Sequence, residues 1–249
     1  MPPSVSNNHL EDLEPKPRLS QKIWNLDDKG PDLTGSSHSI DPAARSALLA
    51  IADKFIKFLG VEINVVDITL TGSMANFTHT DFSDIDLHIL INFSEIDDDE
   101  NLVKEFLSAK KSIWNDRHEI FVRGHQVEVY PQDVGETHDS TGVFSLAREE
   151  WVRDPSEISQ VRDSNLQKVK KKSEDLMSLI DKTLRQKNRT AKLEKLKDKI
   201  KTMRQSGLSR SGEFSVENLV FKVLRNYGYI GKLMTAIRED EDKRLSIDQ

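Results

Sequence analysis

The sequence contains no cysteine, which excludes disulfide bonds and thiolate metal ligands alike. No stretch of its 249 residues approaches the roughly 20 apolar residues that span a bilayer, so we expect no membrane-spanning helix. The first residues lack a basic segment followed by an apolar one, and no secretory signal is expected. Any bound metal must use oxygen or imidazole ligands, and the absence of cysteine suits a reducing cytoplasm.

Charge is abundant but unevenly distributed. Asp, Glu, Lys and Arg make up 31% of the chain, and the formal net charge is −6. Residues 41–160 carry 10 basic and 23 acidic side chains, a charge of −13, whereas residues 161–210 carry 16 and 6, a charge of +10. Such a basic segment can bind phosphates, but a solvated helix face explains it equally well.

Turn residues and apolar spacings divide the chain into four segments. Residues 1–40 are rich in Pro, Ser, Asp and Gly and predict an irregular arm. Residues 41–155 mix helical and strand patterns, which predicts an α+β domain. Residues 156–238 show apolar side chains at spacings of three and four, typical of long helices, and residues 239–249 predict a flexible tail.

The α+β domain has clear local signals. A helix is predicted from Asp41 as N-cap to Gly60, followed by a strand, "INVVDITLTG", that ends at Gly72. The segment "DIDLHILINF" predicts a second strand, and "NLVKEFLSAKKSIWNDRH" predicts a helix. Two alternating runs on either side of Arg123 and Gly124 predict a hairpin.

Two aspartates interrupt the strand pattern of "DIDLHILINF". Asp84 and Asp86 are two residues apart, so on a strand they point to one face. Because an unpaired carboxylate in an apolar setting is costly, they either lie at an exposed strand end or hold a cation. Glu128 in "HQVEVY" is a third such acid, and three carboxylates could hold two Mg²⁺ ions, with Mn²⁺ as the alternative.

A Gly-Ser pair precedes the aspartates by eleven residues. Gly72 and Ser73 lie where the first strand is predicted to turn into a helix, so backbone N–H groups and the Ser73 hydroxyl can approach a phosphate. Ser83, just before the acids, adds a further hydroxyl. We therefore expect these three residues to contact a phosphate group of a bound ligand.

Together, "TGSMANFTHTDFSDIDLHI" and "VEVY" resemble the polymerase-β-type nucleotidyltransferase superfamily. The resemblance covers about residues 41–153 and implies a mixed sheet flanked by helices, followed here by an all-α region. Its members have a Gly-Ser turn, Asp-x-Asp on a strand and a later acid between apolar residues. The matching positions are Gly72, Ser73, Asp84, Asp86 and Glu128.

The resemblance implies a metal-dependent enzyme that moves a nucleoside monophosphate from a nucleoside triphosphate, such as ATP, to an acceptor hydroxyl and releases pyrophosphate. The basic residues in 161–210 slightly favour RNA as the acceptor. Met74 stands where many small members have a basic residue, so the charge that binds the triphosphate must come from elsewhere, for example from those basic helices.

The sequence around these motifs is also similar to nucleotidyltransferase-type proteins of tailed bacteriophages. A phage origin would place the protein in the host cytoplasm. Two alternatives stay open. The chain could be a catalytically silent module that binds nucleotides or partners, or a protein whose function lies in its basic helices.

Overall fold

A computed structural model describes the chain in four stretches, residues 3–26, 38–136, 140–155 and 163–247. Contacts divide the chain into two compact units. We call Pro15–Ser159 the sheet unit, and Met1–Glu14 together with Gln160–Gln249 the helical unit. The first residues of the predicted arm thus belong with the helices, and residues 27–37 of that arm lie outside the described stretches. The predicted boundaries at residues 41, 156 and 239 stay predictions.

The first part of the chain contains both helices and strands, and the described elements from Asp163 onward are all helices. In chain order the elements are α1 (Asn7–Glu11), β1 (Trp24–Leu26), β2 (His38–Ile40), α2 (Pro42–Leu59), β3 (Val65–Thr71), β4 (Ile85–Ile91), α3 (Glu100–Arg117), β5 (Phe121–Val122), β6 (His125–Asp133), β7 (Val143–Ser145), β8 (Glu150–Arg153), α4 (Asp163–Leu184), α5 (Thr190–Ser211), α6 (Val216–Asn226) and α7 (Tyr229–Leu245).

The sheet unit is built on a six-stranded sheet with the strand order β5-β6-β4-β3-β7-β8. The central strands β4 and β6 are parallel, and every other described pair in this sheet is antiparallel. Strands β1 and β2 form a separate antiparallel pair. The fold is therefore a mixed sheet with helices, the polymerase-β-like class that the sequence predicted.

Helix α2 begins and ends where local signals predicted. The side chain of Asp41 accepts a hydrogen bond of 2.8 Å from the backbone N–H of Ala44, and Pro42 occupies the first turn. Gly60 ends the helix at a φ of 74°, which a residue with a Cβ rarely adopts. Along the helix, Leu48 and Phe55 are fully buried and pack under the sheet.

The predicted hairpin is confirmed as β5 and β6. Its two turn residues, Arg123 and Gly124, have φ values of 52° and 85°, and the flanking pair Val122 and His125 is in register. Positive φ at both positions is the type I′ geometry, whose twist matches that of antiparallel strands.

Helix α3 runs along the open edge of β6. The side chain of Asn115 donates to the carbonyl of Val129 and accepts from its N–H, both at 3.2 Å. Leu107 and Trp114 are buried in the core of the sheet unit. Because α3 connects the parallel strands β4 and β6, it satisfies backbone groups of β6 and places its remaining side chains beside the sheet.

The helical unit has its own core, formed by α4 to α7 and the first residues of the chain, among them Val5 and Leu10. The long helices predicted for this part of the chain are confirmed, with α4 ending at Leu184 and α5 beginning at Thr190. Helix α7 continues to Leu245 and so includes much of the segment predicted as a tail. Within the described stretches, no helix is long and apolar enough to cross a membrane.

Candidate active site

The two aspartates lie at the start of β4. The strand begins at Ile85, so Asp84 immediately precedes it and Asp86 is its second residue. Ile85 and Leu87 are fully buried in the core, whereas both aspartates are half-buried. The alternation of a strand thus separates the acids from the core residues, as the sequence predicted.

Glu128 lies directly beside Asp86. The two residues are register partners in the parallel pair of β6 with β4, and neighbouring strands are about 4.8 Å apart. Their side chains therefore share one face of the sheet, and Glu128 is half-buried like the aspartates. Strand pairing thus brings Asp86 next to Glu128, which lies 42 residues later in the chain.

Gly72 leaves room for the Asp86 carboxylate. A Cβ built on Gly72 would lie 1.8 Å from Oδ2 of Asp86, and the φ of Gly72 is 69°. The residues that follow, Ser73–Ala75, form a single turn of 3₁₀ helix and not the α-helix that the sequence predicted. The space left by the missing Cβ is therefore occupied by the Asp86 carboxylate.

The turn after β3 is tied to its surroundings by hydroxyl groups. Ser73 Oγ donates to Ser83 Oγ at 2.8 Å, and the latter also accepts from the N–H of Thr80 at 2.9 Å. Ser83 is buried, with its carbonyl 2.7 Å from Nδ1 of His125. We therefore expect Ser83 to shape the loop, while half-buried Ser73 stays closer to the surface.

A second segment, whose role the sequence did not reveal, holds the Gly-Ser turn from another side. Gly72 donates its N–H to Ser140 Oγ at 3.2 Å, and the side-chain amide of Asn76 donates to the carbonyl of Gly72 at 3.0 Å. A Cβ on Gly142 would lie 1.9 Å from the carbonyl oxygen of Ala75. No short-range pattern links residues 140–142 to the turn, because they meet only through tertiary packing.

Tyr130 binds the third acid. Its hydroxyl donates to Oε2 of Glu128. Burial, this hydrogen bond and the negative charges of Glu128, Asp86 and Asp84 raise the pKa of Tyr130 well above its usual range. Since all three carboxylates act on one phenol, they belong to one electrostatic site.

A lysine from α3 faces the same site. The Nζ atom of Lys111 lies 3.8 Å from the centroid of the Tyr130 ring, a cation–π contact. Burial lowers the pKa of Lys111, and the charges of Glu128 and Asp86 act in the opposite direction. Met74, by contrast, is fully buried, and its carbonyl accepts a hydrogen bond from Trp24. The sheet unit therefore supplies a basic group from α3 instead of from position 74.

The acids fit a divalent cation in some respects only. Carboxylate oxygens are suitable ligands for Mg²⁺, and strand register brings Asp86 and Glu128 together. Among the residues that the structure describes, however, no three acids or histidines are arranged to hold a metal ion, and Glu128 is engaged by Tyr130. The carboxylates and their positions on the strands therefore suit a divalent cation. The orientations of their side chains do not form a complete set of ligands around one ion.

Comparison with known proteins gives a family match for the part of the chain that carries these residues. The model of the nucleotidyltransferase domain family matches residues 52–137, the stretch that contains Gly72, Ser73 and all three acids. Residues 52–137 therefore match a nucleotidyltransferase domain of the polymerase-β-like superfamily, a class of enzymes. This class generally uses nucleoside triphosphates and divalent metal ions.

A solved structure also resembles the chain. It is that of a STING-associated CdnE c-di-GMP synthase from Capnocytophaga granulosa, which is 11% identical, with 82% of this chain and 84% of that chain covered and a TM-score of 0.22. A TM-score of this size supports no argument about substrate. No curated protein matches the chain, and the resemblance to bacteriophage proteins stays a prediction.

We expect Gly72→Ala to weaken cation binding at least tenfold, because the added Cβ displaces the Asp86 carboxylate. The measurement is the electron paramagnetic resonance signal of free Mn²⁺ in the presence of nucleotide. Gly212→Ala is a matched control, since Gly212 has φ 68° and ψ −158°, against 69° and −158° for Gly72.

A Cβ on Gly212 would meet no atom within 4 Å, so this variant reproduces the backbone strain without the clash. The three tryptophans, Trp24, Trp114 and Trp151, all lie in the sheet unit, and their fluorescence reports whether that unit stays folded in Gly72→Ala. Equal Mn²⁺ binding by the two variants would show that the close approach to Asp86 is unimportant.

Proposed function

We propose that the protein transfers a nucleoside monophosphate from a nucleoside triphosphate to an acceptor hydroxyl and releases pyrophosphate. One observation carries this proposal: Asp86 and Glu128 are register partners on parallel strands, and the Asp86 carboxylate lies close to Gly72. Mg²⁺ is the expected ion and Mn²⁺ the alternative, and ATP is a candidate nucleotide. The cytoplasm, of the host if the protein is phage-encoded, is the proposed location.

Each acid has a proposed task. Asp84 and Asp86 would hold the cation that carries the triphosphate. Glu128 would help them to hold a second cation, the one that would activate the acceptor hydroxyl. A bound divalent cation supplies positive charge at the phosphate oxygens. The turn at Gly72 and Ser73 lies beside Asp86, so the triphosphate would approach from the β3 side of β4. Positioning and charge neutralisation then suffice, and no nucleophilic side chain is required.

A catalytically silent nucleotide-binding module is the alternative, and turnover separates it from the enzyme. The protein would be incubated with each labelled nucleoside triphosphate, Mg²⁺ and a cell lysate. RNA, protein and small molecules would then be separated and counted. We expect label in one fraction and release of pyrophosphate. Nucleotide binding in a Mg²⁺-dependent titration, without any product, would support the silent module instead.

We expect the double variant Asp84→Asn with Asp86→Asn to abolish transfer, because it removes two negative charges and keeps the side-chain volume. Asp98→Asn with Glu100→Gln, which removes two exposed acids of the same sheet unit, is the matched control and should keep the parental rate. Rates of product formation check this, with tryptophan fluorescence as the measure of folding. Parental turnover by the first variant would refute the assignment of the metal ligands.

We expect Glu128→Gln to reduce the rate of transfer more than the affinity for nucleotide, because the cation that Glu128 would help to hold would activate the acceptor and would not carry the triphosphate. Single-turnover rates and nucleotide titrations measure the two effects separately. Tyr130→Phe removes the hydroxyl that binds Glu128 and keeps the carboxylate, so it should impair transfer less. A tenfold loss of nucleotide affinity, about 1.4 kcal/mol, with an unchanged rate would contradict this role of Glu128.

RNA is a candidate acceptor because residues 161–210 carry a charge of +10. Some of their lysines make contacts within the helical unit. Lys172 pairs with Glu217 at 3.1 Å, and Lys170 donates to Asn7 at 3.4 Å. Others are exposed on α4 and α5 and could contact phosphates, namely Lys168, Lys171, Lys195 and Lys199.

If RNA is the acceptor, replacing these four exposed lysines with Gln should weaken RNA binding and flatten its salt dependence. Each lost phosphate contact removes about 0.7 from the slope of log affinity against log salt for a single strand. Nucleotide affinity, measured in parallel, should stay at the parental value. An absence of RNA binding by the parent at low salt would identify the charge as a solvated helix surface.

A further inference from the structure

A pocket opens beside the acids, between α3 and the half-buried face of the sheet. Its volume is about 320 Å³, at the small end of the range of about 300–1,000 Å³ for small-molecule sites. The strands and the helix each contribute polar side chains to its wall: His88, Tyr130 and Gln132 from the sheet, and Lys104, Ser108 and Lys111 from α3.

The pocket continues the face that carries the acids. His88 is two residues after Asp86 on β4, and Tyr130 is two residues after Glu128 on β6. Period-two alternation puts each pair on the same face, and the rings of His88 and Tyr130 stack with centroids 5.0 Å apart. A molecule in this pocket would therefore lie next to the carboxylates.

The pocket and the Gly72 turn are on opposite sides of β4. The sheet order places β6 on one side of β4 and β3 on the other. The pocket uses β6 and α3, whereas Gly72 follows β3. In an in-line displacement the attacking and leaving oxygens are on opposite sides of the phosphorus. If the triphosphate lies on the β3 side, the pocket is where the acceptor would lie.

The basic charge of the pocket contrasts with its acidic surroundings. Residues 41–160 have a charge of −13, yet two lysines line this wall. Lys104 pairs with Glu136 at 2.5 Å, whereas Lys111 forms no salt bridge with any described residue and rests on the Tyr130 ring. A half-buried ammonium group without an anionic partner in contact can bind an anionic ligand strongly.

The floor of the pocket is held by a hydrogen-bonded chain. Nδ1 of His88 is 2.6 Å from Oε1 of Gln132, whose Nε2 donates to the carbonyl of Glu136 at 3.2 Å. Gln132 is buried. Because these side chains are already fixed, a ligand would meet a formed surface and lose little free energy in ordering it.

We propose that this pocket binds the acceptor, and that the acceptor is a small hydroxyl compound carrying a phosphate or a carboxylate. The inference rests on the proposed function, since it assigns the second substrate of that reaction. The acceptor's hydroxyl oxygen forms a bond to the α-phosphorus, the bond from that phosphorus to the bridging oxygen breaks, pyrophosphate leaves and the hydroxyl proton passes to water. Lys111 binds the anionic group of the acceptor.

Binding without nucleotide or divalent cation tests the pocket separately from catalysis. Three compounds of similar size serve as probes in ligand-observed NMR titrations: glycerol 3-phosphate, glycerate and glycerol. We expect the two anions to bind and neutral glycerol not to bind. The stronger of the two anions identifies whether a phosphate or a carboxylate is preferred.

Lys111→Met should weaken binding of the preferred anion at least tenfold, which corresponds to about 1.4 kcal/mol, and Lys111→Arg should restore part of it. Lys57→Met is the matched control. It removes an exposed lysine of α2 that pairs with Asp53 and does not line the pocket, so binding should be parental. Equal binding of glycerol, or parental binding by Lys111→Met, would overturn the proposal.

Transfer assays with labelled nucleotide and Mg²⁺ separate this inference from the proposed function. If the parental protein binds the anions through Lys111 but transfers no nucleotide, nucleotidyl transfer is refuted. The ligand is then not an acceptor, and the pocket is an anion-binding site. If the parental protein transfers label to RNA, and the KM for RNA is the same in Lys111→Met, the proposal of a small-molecule acceptor is overturned. The proposed function then stands.

Discussion

The parallel pairing of β4 with β6 sets the arrangement of the site, because it puts Asp86 beside Glu128. Parallel strands cannot be joined by a tight turn, so the chain must cross over between them, and α3 is that crossover. Its Asn115 satisfies the backbone of β6, which fixes the helix along the strand edge. Lys111 then faces the carboxylates as a direct result of this connection.

Accommodating three carboxylates on a half-buried face is the main electrostatic problem of this unit. Isolated charges lose hydration there, and like charges repel. Tyr130 donates to Glu128, Lys111 contributes a positive charge, and Gly72 makes space for Asp86. These groups accommodate the acids by hydrogen bonding, opposite charge and free space.

The helical unit has a different character from the sheet unit. It buries its own apolar core, from Val5 to Ile237, and leaves many lysines of α4 and α5 exposed. Lys172 is partly used in the ion pair with Glu217. Some basic side chains of residues 161–210 therefore take part in ion pairs within the helical unit, and others are exposed to solvent. Only the exposed ones are available to a polyanion.

Local physical chemistry made several features of the fold predictable from the sequence. Asp41 and Gly60 bound α2 because a cap side chain and a positive φ are properties of single residues. The alternating runs on either side of Arg123 and Gly124 predicted the hairpin, because the alternation of a strand is also a local property. The alternation around Asp86 separated core from site, since a strand has a period of two whatever its partners.

Tertiary structure decided what those signals could not. The close approach of Gly72 to Asp86 depends on how β3 and β4 pair, and the expected helix is one turn of 3₁₀ helix. Ser83 is buried and contacts both Ser73, ten residues earlier, and His125, which lies 42 residues later in the chain. The sequence alone determined which residue types were present and how they alternated. The contacts of Lys111, Tyr130 and Glu128 arose only from packing, because no local rule specifies which residues of separate elements meet.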